Sequence, residues 1–372
     1  METALKENVR KPVHWVSSWF KKNRYKVGIG IIITLVFVYY TVFSKTAKQI
    51  KSDINLNEVP MVQFETRKVG NSNLRVTQLS VGSWKTFETL LYSKSLEIFK
   101  AIRQSGINFL DDARYENEAR TGDEDKQKIG YSEILFGKLF REVQMRREKF
   151  VLANKLWVDK NTLSEELDQS LQRMQMDYYD LVYVSKKPDS KSMLEFVTEI
   201  DQLVKSGKIR YWGFLNWPIN EIENACSVSI SNNLSYPIAL QTVYNILRKD
   251  ELNRIGKTLT KLNLSVIAAQ SLASGFLTNS YLSPNADDEV KLGWLHSWML
   301  SKELDRLKIV AKIAEKHNVA VSAVSINFVI NSKPDLIVSS LFGVTSLRQL
   351  RQNLISMAVK LDQKEMSSLE NL

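Results

Sequence analysis

Two acids, a base and a phenol stand together where an apolar run ends, in Gly106-Ile107-Asn108-Phe109-Leu110-Asp111-Asp112-Ala113-Arg114-Tyr115. Ile107 to Leu110 has strand composition, so buried sheet gives way to a polar loop at Asp111, the kind of place where barrel enzymes hold catalytic groups. Lys155 ends another apolar run, Phe150 to Leu156. A free tyrosine, with a pKa of about 10, is a sluggish acid near neutrality. An adjacent ammonium stabilises tyrosinate, and a carboxylate keeps that ammonium charged and oriented. Phenol, ammonium and carboxylate together can deliver a proton to a developing alkoxide, and the matching hydride must come from a cofactor. The bland alternative for either acid is a helix cap or an ion-pair partner.

Other chemistries lack their parts. His14, His296 and His317 are the three histidines, and they are scattered, so neither a metal site nor a Ser-His-Asp triad is evident. A lone cysteine, Cys226, excludes a disulfide framework. The net charge of +10 invites a nucleic-acid partner, but residues 1–51 hold ten Lys/Arg against two Glu, so only two of those ten charges belong to residues 52–372. The expectation is no nucleic-acid binding.

The elements that must position these groups follow in sequence. Residues 1–26 form a basic segment. Val27 to Phe43 is free of charge for 17 residues, flanked by lysines and bounded by Tyr25, Tyr39 and Tyr40. At 1.5 Å per residue it spans about 25 Å, enough for a thin bilayer, and the expectation is a single-pass anchor rather than a buried helix or a cleaved signal. The denser basic flank precedes the span, which by the positive-inside rule puts the N-terminus in the cytoplasm. Cofactor supply argues instead for a cytosolic catalytic domain, on the mitochondrial outer membrane or the endoplasmic reticulum. Two Asn-x-Ser sequons, at Asn233 and Asn263, report on the choice.

Residues 44–60 read as a linker and residues 61–372 as the catalytic domain. Val62 to Val76, turning at Gly70-Asn71-Ser72-Asn73, reads as a β-hairpin able to plug a barrel's N-terminal mouth. Eight strand-like runs follow, at Leu79–Gly82, Ile107–Leu110, Phe150–Leu156, Asp180–Val184, Tyr211–Leu215, Ile238–Gln241, Leu264–Ala269 and Leu336–Phe342, each before a helical pattern. That alternation predicts an α/β fold, a closed (β/α)8 TIM barrel. The competitor, an open doubly wound sheet, lacks a Gly-x-Gly-x-x-Gly after its first strand. The stretch 276–300, with Trp294 and Trp298, reads as an insertion, either a lid or a surface excursion.

Several of these stretches resemble the aldo-keto reductase family: Gly106–Ala113, Met176-Asp177-Tyr178-Tyr179-Asp180-Leu181, Val151–Trp157, Trp212–Trp217, Gln241-Thr242-Val243-Tyr244-Asn245 and Gly343–Asn353, in family order from about residue 62 to 356. The resemblance implies that Asp111 orients Lys155, which lowers the pKa of Tyr115 as proton donor. It implies that Asn216 and Gln241 bind the nicotinamide carboxamide of NADPH and that Tyr244 stacks on the ring. Thr345 and Ser346 would lie near the 2′-phosphate, with Arg348 or Arg351 assisting, and Gln349 and Asn353 near adenine. Ser271 and Gly343 complete the implied cofactor set. Two features depart from the family pattern. Tyr115 follows Asp111 by four positions rather than five, and Ser185 stands where most members have a histidine that helps bind the substrate carbonyl. Lys186 or Lys187 are candidates to make up that loss.

The leading expectation is thus a membrane-anchored NADPH-dependent reductase of an aldehyde or ketone. The alternative is a cofactor-binding, redox-sensing subunit of another membrane protein, similar to the potassium-channel β subunits of the same family.

Overall fold

The computed structural model describes residues 59–114, 130–157, 162–282 and 301–372. The predicted span 27–43, Tyr115, and Trp294 with Trp298 lie outside the described residues. Among the described residues no helix is long and apolar enough to cross a membrane.

A hairpin of β1 (Thr66–Lys68) and β2 (Arg75–Thr77) comes first, antiparallel with Thr66 opposite Thr77. It sits under the barrel as expected. Val69, Leu74 and Val76 belong to the same apolar cluster as Phe109, Val151, Ala239 and Ile267 of the barrel interior, and the Gly70 N–H donates to Ser265 Oγ at 2.7 Å.

Eight parallel strands then close a barrel: β3 (Leu79–Gly82), β4 (Phe109–Asp111), β5 (Val151–Leu156), β6 (Tyr179–Val184), β7 (Ile209–Leu215), β8 (Ala239–Val243), β9 (Ser265–Ala269) and β10 (Ile337–Phe342), with β10 pairing both β9 and β3. The helices between them are α1 (Tyr92–Ser105), α2 (Tyr131–Glu142), α3 (Leu163–Met174), α4 (Met193–Lys205), α5 (Ile219–Ser231), α6 (Asp250–Lys261), α7 (Ser301–His317) and α8 (Val321–Ser332); α9 (Leu347–Leu354) and α10 (Gln363–Glu370) follow β10. All eight strand expectations hold, with ends shifted by a residue or two. The chain is therefore a (β/α)8 barrel with an N-terminal hairpin.

Local chemistry explains the helix boundaries. Thr162 with Glu165 and Ser192 with Glu195 form reciprocal capping boxes that start α3 and α4. Gly106 closes α1 at φ +92°, where a Cβ would lie 2.2 Å from the Val62 carbonyl. That left-handed turn aims the chain into β4. Both sequon asparagines do the same work: Asn233 and Asn263 sit at φ +52° and +54° just after α5 and α6, both exposed.

Strand alternation divides the core in two. One cluster fills the barrel axis, with Phe109, Ala153, Leu181, Tyr183 and Ile267, and a larger one lies between strands and helices, with Leu110, Leu152, Val182, Phe214 and Val266.

Candidate active site

Asp111 and Lys155 share the axis-facing parity of Phe109 and Val151, so both side chains enter the barrel near its C-terminal mouth. There Lys155 Nζ donates to Asp111 Oδ1 and, at 3.1 Å, to the Asp112 carbonyl. Gln241, from β8 across the barrel, donates its Nε2 to Asp111 Oδ2 at 2.9 Å. All three side chains are buried. One carboxylate is thus gripped by a charged donor and a neutral one from two other strands, which holds the ammonium in place without a mobile partner.

Asp112 points the opposite way, into the layer between barrel and helices. The Ser83 hydroxyl donates to its Oδ1, and its Oδ2 has no hydrogen-bond partner. Burial pushes its carboxyl well above the usual carboxylate range against the pull of that hydroxyl, and nearby Glu133 adds to the rise. The same layer holds a polar network: Glu133 Oε1 accepts from Asn154 Nδ2 (2.9 Å) and Ser170 Oγ (2.5 Å), and Glu133 Oε2 from Arg173 Nε at 2.5 Å. Asn154, next to Lys155 on β5, is therefore structural. Arg114 pairs with Glu166 at 3.1 Å, and the Ser132 hydroxyl donates to the Ala113 carbonyl at 2.5 Å. These bonds anchor the chain at the residue before Tyr115.

Ser185 follows β6 and is half-buried, its N–H donating to the Leu156 carbonyl at 3.1 Å. Lys187 does not substitute for a histidine there, because its ammonium is bonded to the Pro188 and Lys191 carbonyls at 2.8 and 2.6 Å. Lys186 is exposed.

Asn216 ends β7 with φ +54°, exposed, and its N–H donates to the Gln241 carbonyl at 2.9 Å, so these two residues are neighbours at the mouth. Tyr244 departs from expectation. It is fully buried in the outer core, its hydroxyl bonded to Ser332 Oγ at 2.9 Å and its ring stacked on Phe328. It presents no face to the mouth, because the chain after β8 turns outward to pack on α8. Gln270, just past the end of β9, is the exposed residue there, held at φ +53°. Its neighbour Ser271 is buried, donating to the Ala268 carbonyl (3.0 Å) and accepting from Ser340 Oγ (2.8 Å).

After β10, Gly343 passes so close to the loop after β3 that a Cβ would lie 2.4 Å from Thr86 Cγ2. Ser346 then caps α9, accepting from the Gln349 N–H at 3.2 Å, while Gln349 Oε1 accepts from the Thr345 N–H (2.6 Å) and hydroxyl (3.0 Å). Three of the implied cofactor residues are thus tied to one another at a helix start. Arg348 is exposed in the first turn of α9, whereas Arg351 is buried, so of the two arginines Arg348 has its side chain in solvent. Asn353 is buried and its Nδ2 lacks a hydrogen-bond partner. An orphaned amide, a helix N-terminus and an exposed guanidinium on one segment suit a phosphorylated adenosine.

Sequence reasoning overlooked two contributors, the Gln241 bond to Asp111 and the buried Glu133. Period-two alternation on β8 and β4 was the available signal for the first. Nothing local marks Glu133, a helix-surface residue type, as a core group.

Comparison with known proteins agrees with this fold. The Aldo/keto reductase family matches residues 78–372. A curated rice (Oryza sativa subsp. japonica) protein named "Probable voltage-gated potassium channel subunit beta" is 30% identical over 235 residues, covering 60% of this chain and 68% of that protein. A solved structure of a thermostable aldo-keto reductase in complex with the inhibitor epalrestat superposes with a TM-score of 0.63 at 21% identity, covering 82% of this chain and 99% of that one. The match over most of the chain, with the closed barrel and its buried Asp–Lys pair, makes this protein a member of the aldo/keto reductase family, the NADP-dependent oxidoreductases.

Proposed function

We propose that the chain is a membrane-anchored reductase of an aldehyde or ketone, with Tyr115 as proton donor assisted by Lys155 and Asp111. The observation that carries this reading is the buried Asp111–Lys155 pair, braced by Gln241, at the root of the segment leading to Tyr115. When bound, the reduced nicotinamide supplies the hydride. Lys155 supplies the field: an ammonium close to a phenolate stabilises it and makes the phenol a stronger acid. Asp111 offsets part of that field, and sharing its carboxylate with Gln241 lessens the offset. Asn216 and Gln241 would receive the carboxamide, and Gly343 to Asn353, with Arg348, would hold the adenosine end. Ser185 offers the substrate oxygen a hydroxyl in place of an imidazole, a weaker and less directional donor.

The test is NADPH oxidation by the full chain in detergent against a panel of aldehydes and ketones, beside Lys155→Met and Tyr115→Phe. Turnover abolished by either change is the expected result, and tight NADPH binding with no turnover on any carbonyl would overturn the enzyme reading. That second outcome is what the alternative predicts, an NADPH-binding, redox-sensing subunit of a membrane protein. It is favoured by Ser185 and by the potassium-channel name of the rice relative.

The anchor is residues 27–43, and the catalytic domain lies on the cytosolic side of the endoplasmic reticulum or mitochondrial outer membrane. Both sequons are exposed, so expression in eukaryotic cells followed by endoglycosidase treatment gives a direct check. No mobility shift is expected, and a shift lost in Asn233→Gln or Asn263→Gln would place the domain in the lumen.

A further inference from the structure

Tyr183 is a polar residue in a part of the barrel built for apolar ones. It lies on the axis-facing side of β6 between Leu181 and Ser185, fully buried, within the interior cluster of Phe109, Ala153, Leu181 and Ile267. Its register partner on β5 is Lys155. On the other side its partner is Gly213, and beyond that Ala239 on β8, small residues that leave the ring room toward β8. Its hydroxyl lies beside Gln241, near enough to feel the pull of that amide, and within electrostatic reach of Asp111, but it makes no hydrogen bond within ordinary distance and angle limits. A phenylalanine would fill the same volume without burying an unsatisfied oxygen, so the oxygen needs an account.

The account comes from the two donors on Asp111. Lys155 occupies Oδ1 and the Gln241 amide occupies Oδ2. Gln241 is also the residue that a nicotinamide carboxamide would recruit, an inference that rests on the function proposed above. If its amide turns to that ligand, Oδ2 loses its donor inside a dry barrel, and the displaced carboxylate is free to pull Lys155 out of place. The Tyr183 hydroxyl, beside Gln241 and within electrostatic reach of Asp111, is a donor without a well-formed bond of its own. Burial, with the Asp111 charge adding to it, holds that phenol protonated well above its ordinary range, so the hydrogen is available throughout the working pH range.

We propose that Tyr183 is a positioning residue for the reduction: its hydroxyl takes over Asp111 Oδ2 when Gln241 is drawn to the cofactor, so that Lys155 stays fixed in the loaded enzyme. The residue acts through Asp111 and touches no substrate.

The experiment compares the full chain with its Tyr183→Phe variant in three measurements: melting without cofactor, NADPH affinity by fluorescence titration, and the pH profiles of kcat and KM. Without cofactor the melting temperature should be unchanged or slightly raised, since an orphaned hydroxyl is removed. With cofactor, NADPH Kd should rise by about fivefold and kcat fall by about tenfold with a displaced pH limb, while the carbonyl KM stays within about twofold. A Tyr183→Phe protein with the wild-type Kd and a superimposable pH profile would overturn the positioning role alone. A lowered melting temperature without cofactor would overturn it too, by assigning the hydroxyl to packing. Failure of the unaltered chain to bind NADPH would instead sink the underlying functional reading and this inference with it.

Discussion

Asp111 and Asp112 are adjacent in sequence, identical in type and both buried, yet they sit in opposite electrostatic worlds. Asp111 faces the barrel axis and holds two donors, one of them an ammonium. Asp112 faces the helices, holds one hydroxyl, and looks toward the like charge of Glu133. The pleat of a strand sends successive side chains to opposite faces, so one peptide step separates a carboxylate bonded to a lysine from a carboxyl that burial drives toward its neutral form. The inner network is the one the proposed reduction would use. The outer groups, Ser83 with Asp112 and Glu133 with Asn154, Ser170 and Arg173, tie the loop root and two helices to the barrel wall.

That contrast can be broken from either side. The largest effect belongs to the inner pair: Lys155→Met leaves Asp111 buried with only Gln241, and should cost about 3–5 kcal/mol in thermal or denaturant unfolding as well as reducing NADPH-dependent turnover by about a hundredfold or more. A variant with wild-type stability would mean that Asp111 is not charged in the folded chain. Next comes Glu133→Ala, which strips the outer network of its acceptor for Arg173, Asn154 and Ser170. About 3 kcal/mol of stability should be lost while kcat, measured well below the melting temperature, stays within about threefold. A large loss of kcat in the still-folded protein would show that the outer layer positions the reacting groups.

The smallest effect sharpens the comparison most, because it is a matter of pH. A carboxyl whose folded pKa is raised binds its proton more tightly in the native state. The stability it contributes is therefore fully present below the unfolded value of about 3.9 and is lost as pH rises through the folded value. Asp112→Asn removes that dependence while keeping an oxygen for the Ser83 hydroxyl. Unfolding curves of variant and wild type should be similar near pH 4 and diverge above it, the variant gaining by at most about 1.4 kcal/mol per pH unit. Parallel curves from pH 4 to 8 would place Asp112 among ordinary ionised carboxylates.

Much of the fold was legible because a barrel is written in local terms. Each strand is a short apolar run bounded by polar residues, each helix carries its own periodicity and caps, and eight repeats admit few architectures. The chemistry was legible wherever a polar residue ended such a run, as with Asp111, Lys155, Asn216 and Gln241. What misled was direction. Tyr244 is close to a strand end and aromatic, yet it turns outward against Phe328, and no local signal states which way a loop leaves a strand. Thr345, Ser346 and Gln349 read as ligand contacts, and in the structure they cap a helix together, a use their residue types allow equally well.

By itself, then, the amino-acid order determined the alternation of strands and helices, the hairpin before them, and the supply of an acid, an amine and an amide at strand ends, because periodicity and capping act over a few residues. Only tertiary structure decided that Gln241 reaches across the barrel to Asp111, that Glu133 is buried against Arg173, and that the Tyr183 hydroxyl is left near that carboxylate without a well-formed hydrogen bond. Those relations join strands far apart in the chain. They exist only once closing the cylinder removes water and forces each buried polar group to take whatever donor the opposite wall presents.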